Sequence, residues 1–149
     1  MTLVGEISMV LGEKLWEGKG KSAGPGFIKY VGTEGVASMY SWSAQLKGMG
    51  RAKGADITIN ATGKSWMAPK GIGKAKDQGV FMTATGDMGV LKGSALSKMM
   101  QNKAMAVGLW HFMTTSEKLG WMNDVIAVVS YEPLDPMWNE LNIIIYEWK

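Results

Sequence analysis

Apolar and polar residues alternate with a period of two through much of this chain, and this pattern constrains the fold most. In residues 55–62, Ile57 and Ile59 fall on one face of the segment. Thr58 and Asn60 fall on the other face. Because successive side chains of a strand point to opposite sides, the pattern predicts a strand with one buried face. Similar short segments recur from residues 2–11 onward, and we expect about eight to ten strands.

Glycine separates these segments and also occurs inside them. The chain has 20 glycines and only four prolines, spread along its length. Gly86-Asp87 is typical of a tight turn between two strands, since glycine adopts the positive φ that such turns require. Pairs such as Gly48-Met49-Gly50 predict bends where a sheet curls. We therefore predict an all-β fold, an antiparallel closed barrel of about eight strands, as a single domain over residues 1–149.

Two segments have some helical character. Ser116 can cap a helix whose first turn contains Glu117, but Gly120 limits it to one short helical turn over Ser116 to Met122. Leu119 and Met122 share one face of this turn, and we expect that face to close one end of the barrel. Residues 96–105 fit either a helix or a strand that ends in a loop.

Composition excludes several kinds of site. The chain has no cysteine and one histidine, which excludes disulfides, thiol nucleophiles and sites with two histidines. Asp77 and Asp87 are expected in turns, and no carboxylate pair has a catalytic spacing. We expect no metal and no cofactor. No segment is long and apolar enough for a membrane span, and the first ten residues do not resemble a signal peptide, so we expect a soluble, cytoplasmic protein.

Methionine and tryptophan are unusually frequent, at 13 and seven residues. A barrel interior lined by them could hold a small apolar ligand, although methionine also serves as an ordinary core residue. Alternation places His111 on one face of its strand and the aromatic pair Trp110 and Phe112 on the other. Either face could point inward, and the two aromatic rings favour the second as core. An inward His111 would belong to a ligand site with Leu109, Met113, Tyr40 and Met82.

Basic residues are concentrated between Lys47 and Lys76, where seven occur with a single acid, Asp56. Such a surface attracts anions, although lysines also keep exposed strands soluble. The candidate anion-binding residues are Arg51, Lys53, Lys64 and Lys70. Nucleic acid is disfavoured as a partner because Arg51 is the only arginine in the chain.

The C-terminal third contains a recognisable motif. Phe112-Met113-Thr114-Thr115-Ser116-Glu117-Lys118-Leu119, then Asn123 and a final Glu147-Trp148, resembles a family of small uncharacterised archaeal and bacterial proteins with a T-x-S-E-K-L-x-x-L-N segment and a terminal E-W. Met122 replaces the leucine before the asparagine. The family has no assigned activity, so the resemblance implies no catalytic residues. More distantly, the pattern is similar to the barrels of allene oxide cyclases and dirigent proteins, a likeness of fold alone.

Several functions remain open at this point. The leading hypothesis is a non-enzymatic barrel that binds a small apolar molecule or acts as an interaction module. The alternative is a cyclase or isomerase that shapes an apolar substrate with few polar groups. A third hypothesis is anion or nucleic-acid binding through the Lys47–Lys76 stretch. Self-association into a homo-oligomer is compatible with each of them.

Overall fold

The computed structural model describes residues 11–23, 26–100 and 102–149. The expected strand over residues 2–11 lies outside this part of the chain except for Leu11. The described residues form nine strands and two short 3₁₀ helices: β1 (Leu11–Ser22), β2 (Phe27–Gly32), β3 (Gly35–Gly48), η1 (Gly50–Ala52), β4 (Ile57–Met67), β5 (Gly73–Thr83), β6 (Met88–Met100), β7 (Lys103–Met113), η2 (Gly120–Asp124), β8 (Ile126–Pro133) and β9 (Glu140–Trp148).

Eight of these strands close into an antiparallel barrel. From β3 to β9 each strand pairs with the next, β9 pairs with β1, and β1 returns to β3. β1 pairs with the later half of β3, from Trp42 to Gly48. The earlier half of β3 pairs with β2, which is an additional strand outside the ring. The predicted all-β closed barrel is confirmed.

The barrel interior follows the alternation of the sequence. Ile57 and Ile59 are buried while Thr58 and Asn60 are exposed, as predicted. An eight-stranded barrel is just wide enough for side chains to fill it. Its centre is aromatic, with Phe112 edge-on to Phe81 at 5.8 Å between ring centroids.

One end of the barrel is closed. This end carries η1, the β5–β6 turn and the segment containing η2, which are the connections after β3, β5 and β7. Leu119 and Met122 are buried there, which confirms that this segment packs against the barrel end. The helical turn itself spans Gly120–Asp124, later than predicted. Before it, the Ser116 hydroxyl donates to Asp87 and accepts from the Leu119 amide.

The opposite end carries the β4–β5, β6–β7 and β8–β9 connections. Residues 96–105 form the β6–β7 hairpin here, not a helix, and Asn102 has the positive φ of 65° that asparagine tolerates in tight turns. Trp138, from the β8–β9 connection, packs against the core. In the described ranges, no helix is long and apolar enough to cross a membrane.

Candidate ligand site at the open end

We call the end opposite the closed one the open end, and small side chains line it on β3 to β6. One row of paired residues runs from Ser38 through Ser65 and Ala75 to Ala95, on the same strand face as the core residues Trp42 and Phe81. All four are only partly buried. Small inward-facing residues leave space that large ones would fill, and solvent reaches them from the open end. We call this inward-facing region, together with Ser97, the cup.

The base of the cup holds a buried carboxyl group. Asp77 lies in the middle of β5, two residues from Ala75 on the same face, and is only 8% exposed. The Tyr40 hydroxyl donates a hydrogen bond of 2.5 Å to its carboxyl oxygen. Gly63, the partner of both residues across β4, makes this contact feasible, because a Cβ there would overlap the Asp77 and Tyr40 oxygens.

Burial and hydrogen bonding act in opposite directions on the Asp77 carboxyl. Loss of solvent raises its pKa, because the charged form is poorly solvated, and this effect is the largest. Hydrogen bonding by the side chains of Tyr40 and Trp42 stabilises the charged form and reverses the rise only in part. Asp77 therefore holds its proton to higher pH than an exposed aspartate.

Two tyrosines beside Asp77 remain protonated. Burial, followed by the charge of Asp77 and its hydrogen bond, raises the pKa of Tyr40. Burial raises the pKa of Tyr131 well above its usual value, and the charge of Asp77 adds to the rise. The Trp110 indole N–H donates to the Tyr131 oxygen at 2.6 Å. Because Tyr131 accepts this bond, its own O–H is available as a donor.

Aromatic rings complete the base of the cup. Trp42 stacks on Trp110 with 5.8 Å between ring centroids, and both are buried. Gly93 admits the Trp110 ring, since a Cβ at that position would overlap the indole. The site thus combines flat apolar rings with one carboxyl and two phenol groups. Over the described ranges, no three His, Cys, Asp or Glu side chains lie close enough together to hold a metal ion.

The structure separates the ligand-site residues suggested by the sequence. His111, Leu109, Met113 and Met82 all point outward and are exposed, so the alternative with His111 inside the barrel is wrong. The physical reason is that Trp110 and Phe112 occupy the interior on the same strand. Tyr40 alone of the five faces the cup.

Asp77 is the residue that sequence reasoning missed. It was expected in a turn, and this prediction is wrong because Asp77 lies inside β5. A signal was present in the sequence. Asp77 lies four residues before Phe81, so in an alternating strand both side chains are on the same, inward face. A lone acid at a core position within a strand indicates a buried polar site.

The candidate anion-binding residues do not converge either. Arg51 forms an ion pair with Glu147 at 3.0 Å and stacks over the Trp121 ring. Lys53 follows η1 at the closed end, whereas Lys70 lies in the β4–β5 connection at the open end. Lys64 points outward from the second half of β4.

Comparison with known proteins supports the barrel and nothing finer. No protein-family model matches the sequence, and no curated protein matches it. A β-barrel-like protein from Acinetobacter baumannii AYE superimposes with a TM-score of 0.78 at 16% identity, covering 93% of this chain and 95% of its own. A protein of unknown function from Clostridium acetobutylicum also gives 0.78, at 11% identity, with 92% and 98% covered.

An enzyme from Penicillium herquei has the same architecture. Its TM-score is 0.65 at 20% identity, and the superposition covers 91% of this chain and 92% of the enzyme. At such identities the likeness shows the fold alone. The family resemblance suggested by the C-terminal motif stays a prediction.

Proposed function

We propose that this protein binds a small, largely apolar molecule in the cup, with a polar group of the ligand held at the Asp77–Tyr40 pair. The observation that carries the proposal is a buried, hydrogen-bonded carboxyl group beneath a partly exposed wall of small side chains. A buried acid lowers stability unless it is well compensated, and proteins keep such groups mainly at functional sites.

The chemistry of the cup selects the class of ligand. Trp42 and Trp110 offer flat apolar surfaces that suit a ring or a short hydrocarbon body. Tyr131 and a protonated Asp77 can donate a hydrogen bond, which suits a carbonyl or hydroxyl oxygen. An anionic headgroup is disfavoured, because an ionised Asp77 would repel it at close range.

A second candidate function is acid–base catalysis of the cyclase or isomerase type. Its specific support is the raised pKa of Asp77 beside two phenol groups. In its ionised form, the Asp77 carboxylate can accept a proton from a carbon next to a carbonyl, and the resulting carboxylic acid can return that proton to another carbon. Tyr131, whose O–H is available, would donate to the oxygen on which negative charge develops.

The binding proposal is tested with the purified protein and two matched probes, 2-naphthol and naphthalene, followed by quenching of tryptophan fluorescence. We expect 2-naphthol to bind more tightly, since only it can bond to the Asp77–Tyr40 pair. Tyr40→Phe should weaken 2-naphthol about fivefold, the effect of one ordinary hydrogen bond, and leave naphthalene unchanged.

A blocking variant identifies the location of binding. Ala95→Phe fills the cup, and we expect it to weaken 2-naphthol at least tenfold. Leu96→Phe is the matched control, because Leu96 is the next residue and points outward at 55% exposure. Equal binding by wild type and Ala95→Phe, or no binding of either probe, would overturn the proposal. Native mass spectrometry of protein from its own host then identifies the natural ligand.

A further inference from the structure

The outer surface of the barrel has a second concave region, whose lining also includes Asp77 and Trp110 of the strands that form the base of the cup. It lies across β4 to β7 and is bounded by residues 123–126, at the end of η2 and the start of β8. Its volume is about 960 Å³, large enough for a small organic molecule. We call this region the outer groove.

Three lysines converge on the outer groove from neighbouring strands. Lys64 and Lys76 are directly opposite each other in the β4–β5 pair, and Lys92 is diagonal to Lys76 on β6. Like charges placed directly across a sheet repel one another and reduce stability. No carboxylate of the described residues lies within 4 Å of these three ammonium groups. None of the three lysines therefore forms an ion pair with a carboxylate of the described residues, and a bound anion would provide a partner.

The rest of the groove is mixed in character. His111 is directly opposite Lys92 and adds two ring nitrogens. Leu109 and Ile126 are 46% and 44% exposed and form an apolar side of the same groove. A purely ionic surface patch would not need this apolar side. The combination matches a molecule with an anionic group at one end and a hydrocarbon body at the other.

We propose that the outer groove binds a small organic anion, with its carboxylate or phosphate group at Lys64, Lys76 and Lys92 and its apolar part against Leu109 and Ile126. The lysine, leucine and isoleucine side chains of this site are exposed on the outward face of their strands, opposite to the inward face that lines the cup. A nucleic acid is a poorer match, because Arg51, the only arginine, is engaged with Glu147 elsewhere. Asp124 at the edge of the groove also opposes a long polyanion.

The test is calorimetric titration of the whole protein with octanoate. Octanol is the uncharged control of the same chain length, and inorganic phosphate is the control anion without an apolar part. We expect octanoate to bind most tightly and to weaken as salt is raised. The variant K64Q/K76Q/K92Q should weaken octanoate at least tenfold. The control K29Q/K53Q/K98Q removes the same charge from exposed lysines elsewhere and should change affinity less than twofold.

Further variants keep the outcomes distinct. K64R/K76R/K92R retains the charge and should bind octanoate within threefold of wild type. This result would show that the glutamine variant loses affinity through loss of charge and not through misfolding. Ala95→Phe, which blocks the cup, should leave octanoate binding unchanged. Equal loss in both glutamine variants, loss in Ala95→Phe, or tighter binding of octanol than octanoate would overturn the proposal. Tighter binding of a short single-stranded oligonucleotide would also overturn it in favour of a nucleic-acid surface.

Discussion

The two ends of this barrel are built from the same strands but are filled in opposite ways. At the closed end, η2 and the segments beside it bring Leu119, Met122 and Val125 to nearly complete burial. At the open end, the inward positions carry Ser65 and Ala75, which solvent still reaches. Along β4 and β5, the inward positions thus change from large apolar residues, such as Ile57 and Phe81, to small ones.

Under the proposed function, this difference separates the residues that stabilise the fold from those that would bind the ligand along the barrel axis. Apolar burial at the closed end and centre supplies most of the free energy that favours folding. The open end contains a buried carboxyl group, Asp77, whose desolvation opposes folding. Natural proteins commonly accept such a loss at sites that bind or react. Substitutions at the two ends should therefore change the free energy of unfolding by different amounts and, at Asp77, in the opposite direction.

The largest loss is expected at the aromatic centre. Phe112 is fully buried, with ring contacts to Trp16 at 5.6 Å and to Phe81 at 5.8 Å. Phe112→Ala should lower the free energy of unfolding by about 3–5 kcal/mol, because it removes apolar contacts and leaves a cavity. Met113→Ala, at the next and outward-facing position, should cost less than about 1 kcal/mol. Urea unfolding measures both, and similar losses would contradict the inward assignment of Phe112.

A smaller loss is expected at the closing segment. Met122 is fully buried beneath the barrel end. Met122→Ala should cost about 2–5 kcal/mol if the segment is packed as an integral part of the core. Lys118→Ala, at an exposed position of the same segment, is the matched control and should be nearly neutral. A cost below about 1 kcal/mol for Met122→Ala would mean that this end is covered only loosely.

The sequence predicted the closed end better than the open end, and the reason is physical. Ile57, Ile59, Leu119 and Met122 reveal their burial because apolar residues at regular spacing have few other stable positions. The orientation of His111 stayed ambiguous, since both faces of its strand carry apolar residues. Alternation can indicate the inward face of a polar residue such as Asp77, but not the partners that compensate its burial, which only the fold supplies.

The partners of the open-end and outer-groove residues come from distant strands. Tyr40 meets Asp77 only through the register of β3, β4 and β5, in which Gly63 lies between them. The lysines of the outer groove similarly converge through strand pairing, 12 residues apart from Lys64 to Lys76 and 16 from Lys76 to Lys92. Alternation fixes the face of each residue but not the register that brings the faces together.

At Asp77, unlike at Phe112 and Met122, we expect a substitution to stabilise the protein at pH 7. Its pKa is raised in the folded state, so the folded protein holds this proton more tightly than the unfolded chain. The resulting stabilisation is complete below the unfolded pKa, near 4, and is lost as pH rises through the folded pKa. Asp77→Asn keeps an oxygen that can accept from Tyr40 and removes the charge. The variant should therefore melt at a higher temperature than wild type at pH 7.

The pH dependence distinguishes this explanation from general repacking. The difference in melting temperature between Asp77→Asn and wild type should shrink as pH falls toward 4, because the Asp77 carboxyl increasingly holds its proton. Asp56→Asn is a control at an exposed aspartate of the closed end, whose carboxyl bonds to the Gly48 amide. A lower melting temperature for Asp77→Asn at pH 7 would indicate that the ionised carboxyl stabilises the fold.

The smallest effect is expected on the wall of the cup. The hydroxyl groups of Ser38 and Ser65 are 2.6 Å apart across β3 and β4, and both residues are only partly buried. Ser65→Ala removes one neutral hydrogen bond, normally worth about 0.5–1.5 kcal/mol. The loss should fall at or below the lower limit, because Ser38 remains open to solvent and water can replace the missing partner. A loss above about 1.5 kcal/mol on urea unfolding would show that water does not reach these two serines. The open end would then exclude solvent as the closed end does.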